Sequence, residues 1–297
     1  MDIRAILMGL AFGVLWSSAF ASTRVIVLDA PPLTALVIRF LMSTVLGVLL
    51  ARAMGQSWNL SRGEWRTVII FGLCQNALYL GLNWVAMQWV EASAASIIAS
   101  MLPLLVAGAG WIFYGEKLRP IAITGLLVGF AGVGLIMGSR ISDGLDPLGV
   151  VMCLIAVVAL TVATLVLRGT GGSRNVLMMV ALQMQVGALA LLPLAVAIES
   201  WGDIQWSWKL IWAFLYTVLG PGLLATFIWF RLVSRIGATR AATFHFLTPF
   251  LGVSVAAAFL GERFGPADLI GALIVAAGIL MVQLSKVQAG RAAAPIR

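Results

Sequence analysis

Residues 103–132, PLLVAGAGWIFYGEKLRPIAITGLLVGFAG, and residues 249–278, PFLGVSVAAAFLGERFGPADLIGALIVAAG, carry one pattern twice. Pro103, Phe113, Gly115, Glu116, Pro120, Gly125 and Gly132 recur as Pro249, Phe259, Gly261, Glu262, Pro266, Gly271 and Gly278, at a constant offset of 146 residues and without a gap. Lys117 is matched by Arg263. Chance does not hold so many identities in register, so the chain reads as a duplication. Each copy is predicted to be a helix closed by glycine, a Gly-Glu-basic turn, and a second helix opened by proline, where the missing N–H costs nothing.

The rest of the chain says which medium these helices occupy. Of the 297 residues 62% are apolar and only 10% charged, with a mean hydropathy of +1.06. Soluble domains carry roughly 25% charged residues, so a soluble fold is excluded. Apolar stretches of about 20 residues, each enough to cross ~30 Å of hydrocarbon, follow one another along the chain. They predict helices near 5–25, 33–52, 65–88, 93–113, 120–138, 147–167, 176–197, 209–231, 239–259 and 266–285. The expected fold is an all-α integral membrane protein with ten transmembrane helices. Residues 1–140 and 141–297 each hold five of them. An odd number makes the second half enter from the opposite side, giving two inverted repeats around a central cavity, as transporters use to build a midplane site with two openings. Arg4, the following apolar run and Ala19-Phe20-Ala21 resemble a secretory signal. Its removal would delete a helix that the repeat requires.

The net charge of +8 comes from basic residues scattered between apolar helices, not from a basic face with interleaved aromatics, so no nucleic-acid partner is expected. With the N-terminus inside, Arg4, Arg52, Arg62, Arg66, Lys117, Arg119, Arg168, Arg174, Arg231, Arg235, Arg240, Lys286, Arg291 and Arg297 fall on the inner side. Arg24, Arg140, Lys209 and Arg263 fall outside. That bias predicts cytoplasmic N- and C-termini. Trp58, Trp65 and Trp111 at the inner surface, and Trp89, Trp201, Trp206, Trp208 and Trp212 at the outer, suit interfacial belts. Cys74 and Cys153 read as small buried apolar residues. One histidine, two separate cysteines and no carboxylate near a helix centre supply no nucleophile–base pair, carboxylate dyad or metal cluster. No enzyme, metal or cofactor is therefore expected, and a pore would need a continuous polar stripe or charged ring.

On the paired Pro…Gly-Glu-Lys/Arg…Pro…Gly signatures, Trp16 and Phe20 in the first helix, and Arg39 after an apolar run in the second, the chain resembles the drug/metabolite transporter superfamily. The likeness covers nearly the whole chain and is nearest the ten-helix EamA-type branch, among the YddG-like bacterial amino-acid exporters. It implies a protein of the bacterial inner membrane. Helices one to four and six to nine would surround the cavity, with five and ten peripheral. It further implies export of amino acids, aromatic and other neutral ones included, and of related metabolites or toxic compounds, by alternating access. Export or channelling of other small metabolites or cationic drugs is the alternative. The expected partners are the small-molecule substrate and the lipid bilayer, with oligomeric state undecided.

Several residues could carry transport. Gln75, Tyr79 and Asn83, spaced i, i+4, i+8, share one helical face and form the expected polar lining. Cys74-Gln75-Asn76 corresponds to Gly220-Pro221-Gly222, so one half offers amides where the other offers loosened backbone; interhelical hydrogen bonding is the competing use. Trp16, too deep for a belt, stands with Ser17 and Phe20 either at the cavity or in helix packing. Arg39 lies about 10 Å below the outer boundary. It attracts a carboxylate, snorkels, or binds backbone carbonyls; its approximate repeat partner is the uncharged Gln183. His245 either accepts a proton in a coupled cycle or packs. Pro103, Pro221 and Pro249 are candidate hinges, with static kinks the alternative.

Overall fold

The computed structural model describes residues 3–167, 173–262 and 265–292. Arg168, Arg263 and Arg297 of the charge pattern lie outside the described residues, as do the side chains of Lys286 and Arg291. Ten helices in the described residues are long and apolar enough to span a membrane. They are α1 Ile3–Asp29, α2 Pro32–Ala53, α3 Arg62–Ala86, α4 Ala92–Tyr114, α5 Pro120–Ser142, α6 Pro147–Val166, α7 Val176–Ile198, α8 Trp208–Ile236, α9 Ala242–Leu260 and α10 Pro266–Ser285.

Local chemistry fixes most of the ends. Ser61 and Glu64 form a reciprocal capping box at the start of α3. The side chains of Asp146 and Ser207 accept from Gly149 and Leu210 N–H to cap α6 and α8. Gly115 and Gly261 end α4 and α9 at φ of 65° and 68°, the left-handed region that glycine enters without steric cost. In both copies the following glutamate N–H folds back, Glu116 to Gly110 O and Glu262 to Ala256 O. The two halves of the duplicated passage therefore share cap geometry as well as sequence.

Four helices depart from uninterrupted α-helix. Within α3 residues Gly72–Leu80, and within α8 residues Val218–Leu224, are π-helical, and their first residues are repeat mates. α4 is broken after Ala99 and resumes at Leu102, while α9 begins as 3₁₀ turns over Ala242–Leu247 and becomes α-helical at Thr248. Pro103 and Pro249, expected as kinks within continuous spans, instead occupy the first turn of these second segments. The correction has a simple cause: proline lacks an N–H and restricts the residue before it, so a break just upstream costs less than a kink.

Packing repeats the sequence symmetry. α2 packs on its repeat mate α7, and α5 on α10, and both pairs are antiparallel. Glu199, just past α7, accepts from Leu33 and Thr34 N–H at the start of α2, while Gln56, just past α2, accepts from Leu177 and Met178 N–H at the start of α7. Between α5 and α10, a Cβ at Gly278 would stand 2.5 Å from Gly129 N and 2.6 Å from Gly125 O, and one at Gly271 would stand 2.2 Å from the Ile136 side chain. These bare helix faces bring backbones together as small-residue motifs do in membranes. α1 also packs on α8 and α9, and their repeat mates α6, α3 and α4 meet in the same way. On the outside, leucine, isoleucine and valine side chains are exposed along the helices, and the eight belt tryptophans are exposed too.

Candidate functional site

The two π-helical segments line one cavity, with Gln75, Asn76 and Tyr79 from α3 and Pro221 from α8. Wide turns break the regular i→i−4 ladder and re-aim side chains, and they recur at functional sites. In α3 the segment delivers Gln75, Asn76 and Tyr79, all buried. In α8 it contains Pro221, whose absent N–H further loosens the ladder. Gly72 and Gly187 let α3 and α7 approach closely: a Cβ at Gly72 would lie 2.6 Å from Gln183 O, and one at Gly187 would lie 2.4 Å from the Asn76 Cβ.

A cavity of about 40 Å³ lies between α1, α2, α3, α7 and α8. Of the predicted residues, Trp16, Phe20, Arg39, Gln75, Asn76, Tyr79, Asn83 and Pro221 line it. Ser17, Gln183 and His245 stand behind that lining, and Pro103 and Pro249 lie away from it. The ring of eight helices implied by the resemblance narrows here to five, with α5 and α10 peripheral as implied. The space suits a few water molecules and is too small for an amino acid.

Trp16 stacks nearly parallel to Tyr79, with centroids 5.7 Å apart and planes 10° from parallel. Asn83 Nδ2 donates to Tyr79 O at 2.9 Å, and Asn76 Nδ2 donates to Gln183 O at 2.8 Å and to Gln183 Oε1. Asn76 is thus partly committed to holding α3 against α7. The Gln75 side chain is buried at the cavity with no hydrogen bond among the described residues. Arg39 is 4% exposed, and its guanidinium carbon sits 5.6 Å from the ring centroids of both Trp84 and Phe40. Among the described residues its Nε has no hydrogen-bond partner, nor do the indole N–H groups of Trp16 and Trp84.

His245 is 1% exposed and enclosed by Phe12, Trp16 and Trp229, with ring centroids 5.2, 5.2 and 5.3 Å away. It supports Trp16 from behind instead of facing the cavity. Sequence reasoning missed Trp84, Thr23, Met87 and Met184 in the lining. Trp84 carried a usable signal, since it directly follows Asn83 on the expected polar helix and belonged to neither interfacial belt.

At one end of the bundle, polar contacts join the cavity to a cluster of charges. Arg24 Nη1 donates to Met87 O, at the cavity rim. Glu262 accepts from Ala92 and Ser93 N–H at 2.9 and 3.0 Å, capping α4. The buried Arg140 donates from Nε to Asp268 at 2.7 Å and from Nη1 to Glu91 and to Ser93 Oγ. Burial pushes the Glu91 carboxyl above the usual carboxylate range; Arg140 and Arg24 oppose that shift, and Glu262 and Asp268 add to it.

A family model described as the EamA-like transporter family matches residues 3–138 and again 147–284. The Uncharacterized transporter YvbV of Bacillus subtilis is 27% identical over 281 residues, covering 95% of this chain and 92% of that protein. The Aromatic amino acid exporter YddG of Ancylobacter novellus is 27% identical over 139 residues, 46% of this chain and 47% of that protein. A solved crystal structure superposes with a TM-score of 0.69 at 20% identity, over 97% of this chain and 99% of that one, and shares its fold.

Proposed function

Because the chain belongs to the EamA-like transporter family, and so is a multi-pass membrane transporter and not an enzyme, we propose that it exports amino acids and related small metabolites from the bacterial cytoplasm. The observation that carries this reading is the central cavity, where stacked aromatic rings and neutral amides meet between the two π-helical segments. Such a lining suits a small molecule with an apolar body and a few polar groups. The amino-acid assignment draws on the partial likeness to an aromatic amino-acid exporter. Residues 1–140 and 141–297 act as two inverted halves, supported by the antiparallel α2–α7 and α5–α10 pairs. Both termini face the cytoplasm, following the basic-residue bias.

Transport proceeds by alternating access. In this conformation the cavity is too small for cargo, so loading requires the halves to separate at one end. Movement is uncoupled from protons in this reading, since the aromatic enclosure of His245 leaves it no contact with the cavity. The test is efflux from liposomes preloaded with radiolabelled phenylalanine, threonine or methionine, with and without an imposed pH gradient. Saturable, protein-dependent efflux that ignores the gradient is expected. Absence of efflux for every amino acid would overturn the substrate assignment, and gradient-driven efflux would overturn the uncoupled mechanism.

A further inference from the structure

Arg39 is the unexplained group in the cavity. It projects from α2 about 10 Å inside the helix start and is nearly fully buried. A charge at such depth is costly unless something answers it. None of the described residues lining the cavity is an aspartate or glutamate. Arg140, by contrast, is paired with Glu91 and Asp268 at the bundle end. No hydrogen bond to Arg39 is found among the described residues, and the Trp84 and Phe40 rings lie 5.6 Å from its guanidinium carbon.

The cavity borders it on one side. On another, a Cβ at Gly222 would stand 2.9 Å from Thr217 O, 3.4 Å from Ser43 Oγ and 3.5 Å from Arg39 Nη2, so Arg39 and Ser43 pack closely against a bare stretch of the α8 π-helix. Ser43 Oγ is buried and unpartnered as well. A fixed guanidinium fork on the cavity wall matches the two oxygens of a carboxylate. The same lining offers no anion to a cationic group, only ring faces and amides.

We propose that Arg39 anchors a carboxylate on the cargo, and that this negative charge is obligatory whereas the amino group is dispensable. The substrate class is then small carboxylates with an apolar or aromatic body, zwitterionic amino acids among them; amines lacking a carboxylate are rejected by the unneutralised guanidinium. The inference deepens the transporter reading above and rests on the same cavity.

The test is calorimetric binding to the purified protein in lipid nanodiscs, using three ligands with one side chain: phenylalanine, phenyllactate without the amino group, and phenylalaninamide without the carboxylate. Phenyllactate should bind within about threefold of phenylalanine, and phenylalaninamide roughly 10- to 100-fold more weakly, the range for a hydrogen bond to a charged group. Arg39→Gln should weaken both carboxylates by a similar factor while leaving phenylalaninamide no weaker, and Arg39→Lys should restore part of the loss. The ligand series on the wild-type protein decides the matter even if Arg39→Gln does not fold. Phenylalaninamide binding as tightly as phenylalanine, unchanged phenylalanine binding by Arg39→Gln, or no binding of any of the three overturns the proposal. Phenylalanine efflux that survives Arg39→Gln sinks the anchor and leaves the amino-acid exporter standing. Arg39-dependent phenyllactate binding without amino-acid efflux does the reverse.

Discussion

At the scale of single residues, the cavity is defined by aromatic rings waiting for something flat. Trp16 and Tyr79 are nearly parallel but only 5.7 Å apart, whereas a ring inserted between them needs about 7 Å, two contacts of ~3.5 Å. A modest separation of α1 from α3 would therefore turn this stack into a sandwich around cargo. Trp16→Ala should lower phenylalanine efflux at subsaturating concentration about tenfold, with a smaller loss for threonine, because ring stacking contributes ~0.5–1.5 kcal/mol beyond buried area. Trp16→Phe should retain most of the wild-type rate. Equal losses for both amino acids with Trp16→Ala would mean that the indole supports the helix and not the cargo. The His245 ring completes an aromatic cluster with Phe12 and Trp229.

Whole helices show most clearly where the sequence was legible. Spans, turns and caps followed from hydropathy and from proline and glycine positions, because these depend on the local chain and the medium. α8 ran past its expected end to Ile236, and residues 238–241 formed a separate short helix ahead of α9, since Gly237 turns the chain at φ 81°. The π-helical segments were not legible. Cys74-Gln75-Asn76 and Gly220-Pro221-Gly222 could be paired by offset, but a widened turn depends on neighbours in space, here Gly187 and Val186 of α7 against α3. Trp84, by contrast, was legible from its place directly after Asn83 and outside both interfacial belts. The α5–α10 pair gives a prediction at this scale. A methyl group at Gly278 would meet backbone atoms at 2.5–2.6 Å, and backbone cannot rotate away as a side chain can. Gly278→Ala should therefore cost ~1–3 kcal/mol, the usual range for overpacking, read as earlier thermal unfolding in detergent. Gly134→Ala, where nothing lies within 4 Å, is the control and should be neutral or better. A neutral Gly278→Ala would show that the two helices separate readily and that their contact is incidental.

In the proposed alternating-access cycle the molecule opens at alternate ends, and the charged cluster beside the cavity would hold one end shut. Glu262, in the second half, caps the start of α4 in the first; Arg140, in the first, pairs with Asp268 in the second. Both contacts cross between halves, so any separation at this end must break them. The duplication places Glu116 in the equivalent turn at the opposite end, with its carboxylate folded against Gly110, where a Cβ would lie 2.5 Å from Oε2. Losing a capping side chain costs about 1 kcal/mol, somewhat more for a charged cap, and 1–2 kcal/mol shifts a two-state equilibrium roughly 5- to 30-fold. Glu262→Ala should therefore favour the conformation open at its own end, which is periplasmic in the proposed orientation. In a background with Cys74 and Cys153 replaced, Thr23→Cys at the cavity wall should react several-fold faster with a membrane-impermeant maleimide added from the periplasmic side once Glu262→Ala is present. Efflux should fall at the same time, because a carrier resting open on one side completes fewer cycles. Unchanged labelling with normal efflux would mean that this end opens by another route, and faster labelling from the cytoplasmic side alone would invert the proposed topology.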